Sequence, residues 1–361
     1  MKVDKSIKME SLVKEIRESF GPDSATMGGL QKQLRTIPTG SLALDYELGI
    51  GGWPRGKLVG VFGPRDIGKS SMVGLNAVKN AQALDLNVAW IALEPFDESW
   101  AIKNGVQVDD EGKPDMLLAY PTTGEEAFAI ALKCIKSGLI DLLVFDSIGA
   151  VLSEGEMDED SKPRQGGQAG LITWFVKGAA PFAYRNDCCV ILLNHTRDTM
   201  ASRIPGVVHQ PGGKALEFME SVIVQLKNGK GTYTIKDNGT DVTIGKEVVA
   251  HIVRNKESQG TGKKAIFDYF FMETDDYPFG IDQFTDVINT AKRTGVIKQA
   301  GAWFTLPNGK QLQGKKDVAE YLQDNPAELA EVREKVLEAM LRRNDKTTLS
   351  VEDEGDSDEQ Q

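Results

Sequence analysis

The eight residues Gly63, Pro64, Arg65, Asp66, Ile67, Gly68, Lys69 and Ser70 constrain this chain more than any other stretch. They fit G-x-x-x-x-G-K-[ST], the pattern of a phosphate-binding loop, or P-loop. The context is right as well. Residues 57–62 are short and apolar, which predicts a buried strand. After Ser70, the residues Met72, Leu75, Ala77, Val78, Ala81 and Leu84 recur at helical spacing. The motif therefore falls at a strand-to-helix turn. Gly63 and Gly68 let the loop curl without side-chain clashes. Pro64, Arg65, Asp66 and Ile67 then wrap the phosphates. The N–H groups of the loop and of the helix start, Ser71 included, point at them. Lys69 reaches the β- and γ-phosphates and Ser70 ligates Mg²⁺. A chain built on this loop is expected to bind a nucleoside triphosphate, ATP, with Mg²⁺.

The strands and helices around the motif extend the reading. Residues 87–93 form a second apolar run, ending in Glu94. Residues 139–146 form a third, ending in Asp146, and residues 188–194 a fourth, ending in Asn194 and His195. Helical spacing over 125–136 and 171–184 separates them. Strands alternating with helices predict an α/β fold with a mostly parallel, doubly wound sheet. Three further apolar runs, 221–226, 247–254 and 265–271, are expected as antiparallel strands joined by short turns. From about residue 280 the pattern changes. A helix over 281–294, a hairpin around Pro307, Asn308 and Gly309, and helices near 315–323 and 326–343 predict a small α+β domain. Ahead of the core, Ile7, Leu12, Ile16 and Phe20 mark an amphipathic helix over 3–19, ended by Gly21-Pro22. Its stripe packs on its own domain or on a neighbouring subunit.

Ligands of such sheets bind beyond the carboxyl ends of the parallel strands. Asp146, after four apolar residues, is placed to hold Mg²⁺ with Ser70. Glu94 is placed to orient and deprotonate the attacking water, and Asn194-His195 to sense the γ-phosphate. Two long stretches leave the same edge, 153–170 and 196–213. Loops of this length inside a compact core are usually functional. The second mixes Arg197, Arg203 and Lys214 with Met200, Ile204 and Val207. That combination suits a nucleic-acid strand, with cations for phosphate and apolar groups to enter base steps.

Composition limits the alternatives. The chain has 361 residues, enough for one large domain and one or two small ones. Its net charge of −11 argues against a uniformly basic nucleic-acid binder. Residues 352–361 carry only acidic charge, so local basic surfaces remain available. Cys134, Cys188 and Cys189 lie in apolar runs, which disfavours disulfides or zinc. No apolar run predicts a membrane span or a signal peptide, and a reduced, cytoplasmic protein is expected.

Taken in order, the landmarks resemble the bacterial RecA recombinase family from about residue 1 to residue 345. Residues 37–45 and 48–56 resemble that family's approach to the P-loop. Residues 144–147 and 193–195 fall at its Walker B and sensor strands, and 212–218 at the end of its second DNA loop. Residues 253–256 and 300–303 match its later landmarks. The resemblance implies a RecA-type P-loop ATPase core that hydrolyses ATP at subunit interfaces. Glu94 falls at the catalytic glutamate and Trp100 at the aromatic that stacks on adenine. Arg254 and Lys256 fall at two lysines that reach the neighbouring subunit's ATP. The two loops become DNA loops, implying DNA contacts from Arg164, Gly166, Gly167, Arg197, Met200, Arg203, Gly212, Gly213 and Lys214. Phe218 falls at an interface aromatic linking ATP to DNA. Departures are His195 for the sensor glutamine, Arg254 for lysine, Ala169 for a methionine wedge, Trp174 for an arginine, and a longer, more acidic first loop. They fit a divergent member, bacterial or viral; a viral one would act in its host's cytoplasm.

The implied organisation is an N-terminal oligomerisation helix over 1–35 and the core over 36–275. The small domain covers 276–345, and an acidic tail without fixed structure covers 346–361. The implied function is an ATP-dependent recombinase. It would polymerise as a helical filament on single-stranded DNA and pair it with homologous double-stranded DNA. A hexameric helicase-like motor and an ATP-switched scaffold are the rival readings of the same core.

Overall fold

A computed structural model describes residues 2–21, 25, 34–151, 167–196, 210–237, 239–275 and 277–355, with side chains from 8 to 343. The chain divides into two units, Met1–Arg35 and Thr36–Gln361. In the first, helix α1 (Lys2–Phe20) covers the predicted span. It ends where Gly21, at φ 100°, donates its N–H to the Arg17 carbonyl at 2.9 Å.

The second unit is built on a nine-stranded sheet. Its parallel part consists of β3 (Leu58–Gly63), β4 (Val88–Ala92), β5 (Leu117–Ala119), β6 (Leu142–Asp146) and β7 (Cys189–His195). A short pair, β1 (Thr36–Ile37) and β2 (Trp53–Pro54), precedes them, with helix α2 (Leu42–Leu48) between the two. The central strand β3 runs parallel to β7 on one side and to the start of β8 (Val222–Asp237) on the other. β8, β9 (Thr240–Asn255), β10 (Lys264–Phe270) and β11 (Gly280–Ile281) continue the sheet antiparallel.

Alternation along the strands explains why both faces are covered. Val59, Val61, Trp90, Val144 and Ile191 point to one face and pack under helix α3 through Met72, Val73, Ala77 and Val78. α3 is π-wound over Lys69–Leu75 and α-helical over Asn76–Gln82. Ile91, Leu143, Phe145, Val190 and Leu192 point to the other face. There α5 (Gly124–Ser137) and α6 (Gly167–Asn186) cover them, with Phe128 and Phe175 stacked at 4.4 Å. Between β4 and α5 lies the short helix α4 (Glu98–Lys103). Strands buried on both faces read as continuous apolar runs.

The remaining helices are α7 (Gly213–Met219), then α8 (Gln283–Thr294), α9 (Gly314–Asp324) and α10 (Pro326–Gly355). The last three pack with an antiparallel sheet of β12 (Lys298–Ala300), β13 (Trp303–Thr305) and β14 (Gln311–Gln313). Val287, Ile288, Phe304, Val318, Leu322, Val332 and Val336 form its core, and Leu42 of α2 joins them. The joint is also polar. The Ala43 N–H donates to Asp286, and Glu47 is paired with Arg293 at 2.9 Å and Arg343 at 3.4 Å.

Two expectations are corrected here. β8 and β9 are not short strands over 221–226 and 247–254 but a ribbon of 16 residues each. Its outer half, 227–243, is mostly exposed or half-buried, so no buried face imposes an apolar period. Helix α10 runs on to Gly355 rather than losing structure after Asp345. Residues 346–354 hold no Gly or Pro to stop a helix already under way. Residues 356–361 lie outside the described residues.

Candidate functional site

A cleft of about 700 Å³ opens at the carboxyl ends of β3, β4, β6 and β7. The P-loop contributes Arg65, Asp66, Gly68, Lys69, Ser70 and Ser71 to its wall, and Glu94, Asp146 and His195 face them. Gly68 takes φ 97°, a left-handed conformation that a side chain would strain. Asp66 is also left-handed, at φ 57°. Ile67 is buried in the core, so only its backbone is offered to a ligand. Lys69 Nζ donates to the carbonyls of Gly63 at 3.3 Å and Pro64 at 2.8 Å. Burial pushes its ammonium below the usual lysine range, against the pull of Asp146 and Glu94. An arriving polyphosphate gives this cation a better partner than two carbonyls.

Asp146 is buried at the end of β6. Burial pushes its carboxyl up to about 6; the Ser70 hydroxyl lowers it and Glu94 raises it. A buried acid in need of positive charge beside a hydroxyl fits a hard divalent cation. Mg²⁺ typically takes one or two protein oxygens and completes its shell with phosphate and water. Glu94 stands across the cleft. Burial acts to raise its carboxyl, but the neighbouring Ser147 hydroxyl and the His195 ring outweigh it and hold Glu94 below the usual range. His195 Nε2 lies 2.8 Å from Glu94 Oε1. Glu94 is thus an ionised carboxylate aimed by an imidazole. The Leu93 and Glu94 N–H groups both donate to the Asp146 carbonyl, which fixes the two acids relative to one another.

Asn194 does not reach the cleft. It is fully buried, its Nδ2 donates to the Pro211 carbonyl at 2.8 Å, and its Oδ1 accepts the His195 N–H. The expected phosphate sensor is a tether for the loop end instead, because both halves of its amide are used inside the fold. Trp100, on α4, donates its indole N–H to Ser71 Oγ at 2.8 Å. Its ring meets Phe279 edge-on at 5.2 Å, and it lines a second pocket of about 120 Å³ beside Ser70 and Ser71. Arg254 and Lys256 are not in this chain's cleft. They donate to the carbonyls of Glu217 and Phe218, the last turn of α7. Phe218 itself is 75% exposed.

Of the expected DNA contacts, Arg164, Gly166, Arg197, Met200 and Arg203 lie outside the described residues. Gly167 opens α6, Gly212 and Gly213 open α7, and Lys214 is exposed on its first turn. The flanks of both loops are informative. Gly149 and Ala150 before the first, and Thr196 and Pro211 around the second, line the same cleft. Gln168 ties the ends of the first loop together by donating to the carbonyls of Gly149 and Val151. Two contributors escaped the sequence reading. Lys246 of β9 donates to the Asp66 carbonyl at 2.7 Å and pins the P-loop from 180 residues away. Phe279 backs Trp100. Neither carries a local signal, since both act through tertiary contact.

Comparisons with known proteins agree with this arrangement. The family model for the RecA N-terminal domain matches residues 7–274, and that for the RecA C-terminal domain matches 285–341. Protein RecA of Lactobacillus johnsonii is 33% identical over 342 residues, covering 94% of this chain and 90% of that protein. Protein RecA of Thermus thermophilus is 32% identical over 358 residues, covering 96% and 98%. Protein RecA of Thermus aquaticus is 31% identical over 366 residues, covering 99% and 100%. These relatives are bacterial, and the expectation of a viral host finds no support among them.

Proposed function

This chain belongs to the RecA family, and from that premise we propose that it is an ATP-dependent recombinase. It assembles on single-stranded DNA, pairs that strand with a homologous duplex and exchanges strands. One observation carries the reading: the flanks of both long loops line the same cleft that holds Lys69, Ser70, Asp146 and Glu94. A change at the γ-phosphate is therefore felt directly where the DNA loops are anchored.

In the proposed cycle the P-loop backbone and Lys69 hold the β- and γ-phosphates of ATP. Ser70 and Asp146 would hold Mg²⁺, which would supply positive charge to offset that of the phosphates. Glu94 accepts a proton from the attacking water as its oxygen bonds to the γ-phosphorus and the bond to the β-phosphate oxygen breaks. His195 keeps Glu94 in line and lies where the leaving γ-phosphate changes its surroundings. Arg254 and Lys256 serve ATP bound to a neighbouring subunit, which makes hydrolysis depend on assembly. The DNA loops grip the backbone, while base pairing between strands reads the sequence.

Electron microscopy with single-stranded DNA and a slowly hydrolysed ATP analogue tests the assembly. Helical filaments are expected. Closed rings that unwind duplex would replace this reading with a helicase-like motor, and assembly indifferent to DNA would replace it with a scaffold.

A further inference from the structure

Where the second loop returns to the core, two buried polar side chains face each other. Gln210 precedes Pro211 and Gly212, and Glu220 follows α7. Gln210 is 7% exposed and Glu220 is not exposed at all. Gln210 Nε2 donates to Glu220 Oε2 at 2.5 Å. The other two oxygens, Gln210 Oε1 and Glu220 Oε1, are buried with no partner among the described residues. With an ionised acid, the pair leaves two acceptors unsatisfied, which native proteins rarely tolerate. A proton on Glu220 Oε1 would turn one of them into a donor, and a second hydrogen bond from it to Gln210 Oε1 would remove both defects at once. We propose that Glu220 is held as an uncharged acid in a two-hydrogen-bond clasp with Gln210, and that this clasp positions the end of the second loop against α7.

The surroundings favour the neutral form. Glu220 Oε1 lies over Gly60 of the P-loop strand, where an added Cβ would come within 2.2 Å of it. β3 therefore offers the acid no side chain. On β9 and just beyond it, Arg254 and Lys256 are the cations that act on it, and both donate to carbonyls of α7 instead. On α7, Glu217 adds a like charge. Burial pushes the Glu220 carboxyl up to about 8. The clasp closes across α7, whose first turn carries Gly213 and Lys214 and whose last carbonyls hold Arg254 and Lys256. Within the recombinase reading, on which this role rests, Glu220 and Gln210 are positioning residues that couple the DNA loop to the cations serving the next nucleotide.

Two variants of the full chain, Glu220→Gln and Gln210→Ala, test the clasp. Without DNA or nucleotide, melting temperatures are followed from pH 5 to pH 9. An acid raised from 4.5 to about 8 in the folded state stabilises fully below 4.5 and loses that contribution as pH rises through 8. The wild-type melting temperature should therefore fall relative to Glu220→Gln across that window. The amide introduced at position 220 reproduces both hydrogen bonds, so this variant should match wild type near pH 5 and melt higher at pH 9. A Glu220→Gln protein that melts lower than wild type at every pH, with a parallel profile, would overturn the proposal. In the second assay, Gln210→Ala should raise the single-stranded DNA needed for half-maximal ATPase by about 3-fold or more, with turnover at saturating DNA kept. An unchanged DNA requirement would remove the positioning role. If wild type itself shows no DNA-dependent ATPase, the recombinase reading fails while the melting series still decides the clasp.

Discussion

Glu94 and Asp146 are two acids at neighbouring strand ends with opposite environments. Glu94 is hydrogen-bonded and held ionised, and Asp146 is buried and pushed up to about 6. The first is suited to take a proton and the second to take a cation. Replacing Glu94 with Gln keeps shape and removes the base. ATP binding should persist while turnover falls by about 10²-fold or more, as read by single-turnover hydrolysis. Wild-type turnover would place the base elsewhere. Cation binding needs Asp146 as a carboxylate. Mg²⁺-dependent nucleotide affinity should therefore be full above pH 6 and weaken as pH falls through that value. A fluorescent nucleotide titrated across this range checks it, and Asp146→Asn should bind weakly with a flat profile. At this scale the P-loop, Glu94, Asp146 and His195 were legible because each ends an apolar run. Asn194 was misread for the same reason: its position at a strand end says nothing about where its amide points. Lys246 and the Gln210–Glu220 pair act through contacts made only on folding.

The long apolar strands of the sheet were legible, whereas short or little-buried elements mostly were not. The exceptions are α1, largely exposed yet marked by its stripe, and α2, buried but too short to show a period. β3, β4, β6 and β7 are apolar on both sides and stand out as runs, with α5 and α6 between them. The outer half of the β8–β9 ribbon buries little, and only Asn238-Gly239, a hairpin signal, marks its turn in the sequence. β5 and β12, three residues each, are too short for a period to register. The end of β9 carries a functional consequence. Arg254 and Lys256 stand away from their own chain's cleft, so changing both to Ala should abolish DNA-dependent hydrolysis while a dilute monomer keeps its nucleotide affinity. Per-subunit rates measured against protein concentration check this. A dilute wild-type monomer as fast as the assembled protein would contradict it.

For the whole molecule, charge is unevenly shared. The small domain exposes Lys292, Lys298, Lys310, Lys315 and Lys316, whereas residues 352–361 are acidic. A tethered polyanion would compete with duplex DNA for such a surface. Truncation after Thr348 should tighten duplex binding, most at low salt, since phosphate contacts weaken steeply as salt rises. Superimposed salt titrations of the full and truncated chains would leave the tail without this role. The central proposal, that ATP controls strand pairing, draws on the family match over residues 7–274 and 285–341 and on the loop flanks that line the cleft. The most direct measurement mixes the purified chain with single-stranded DNA, homologous duplex, ATP and Mg²⁺ and follows joint molecules. Wild type should give homology-dependent joint molecules and a folded Lys69→Ala protein none. Joint molecules formed equally well by Lys69→Ala, or none with wild type, would contradict it.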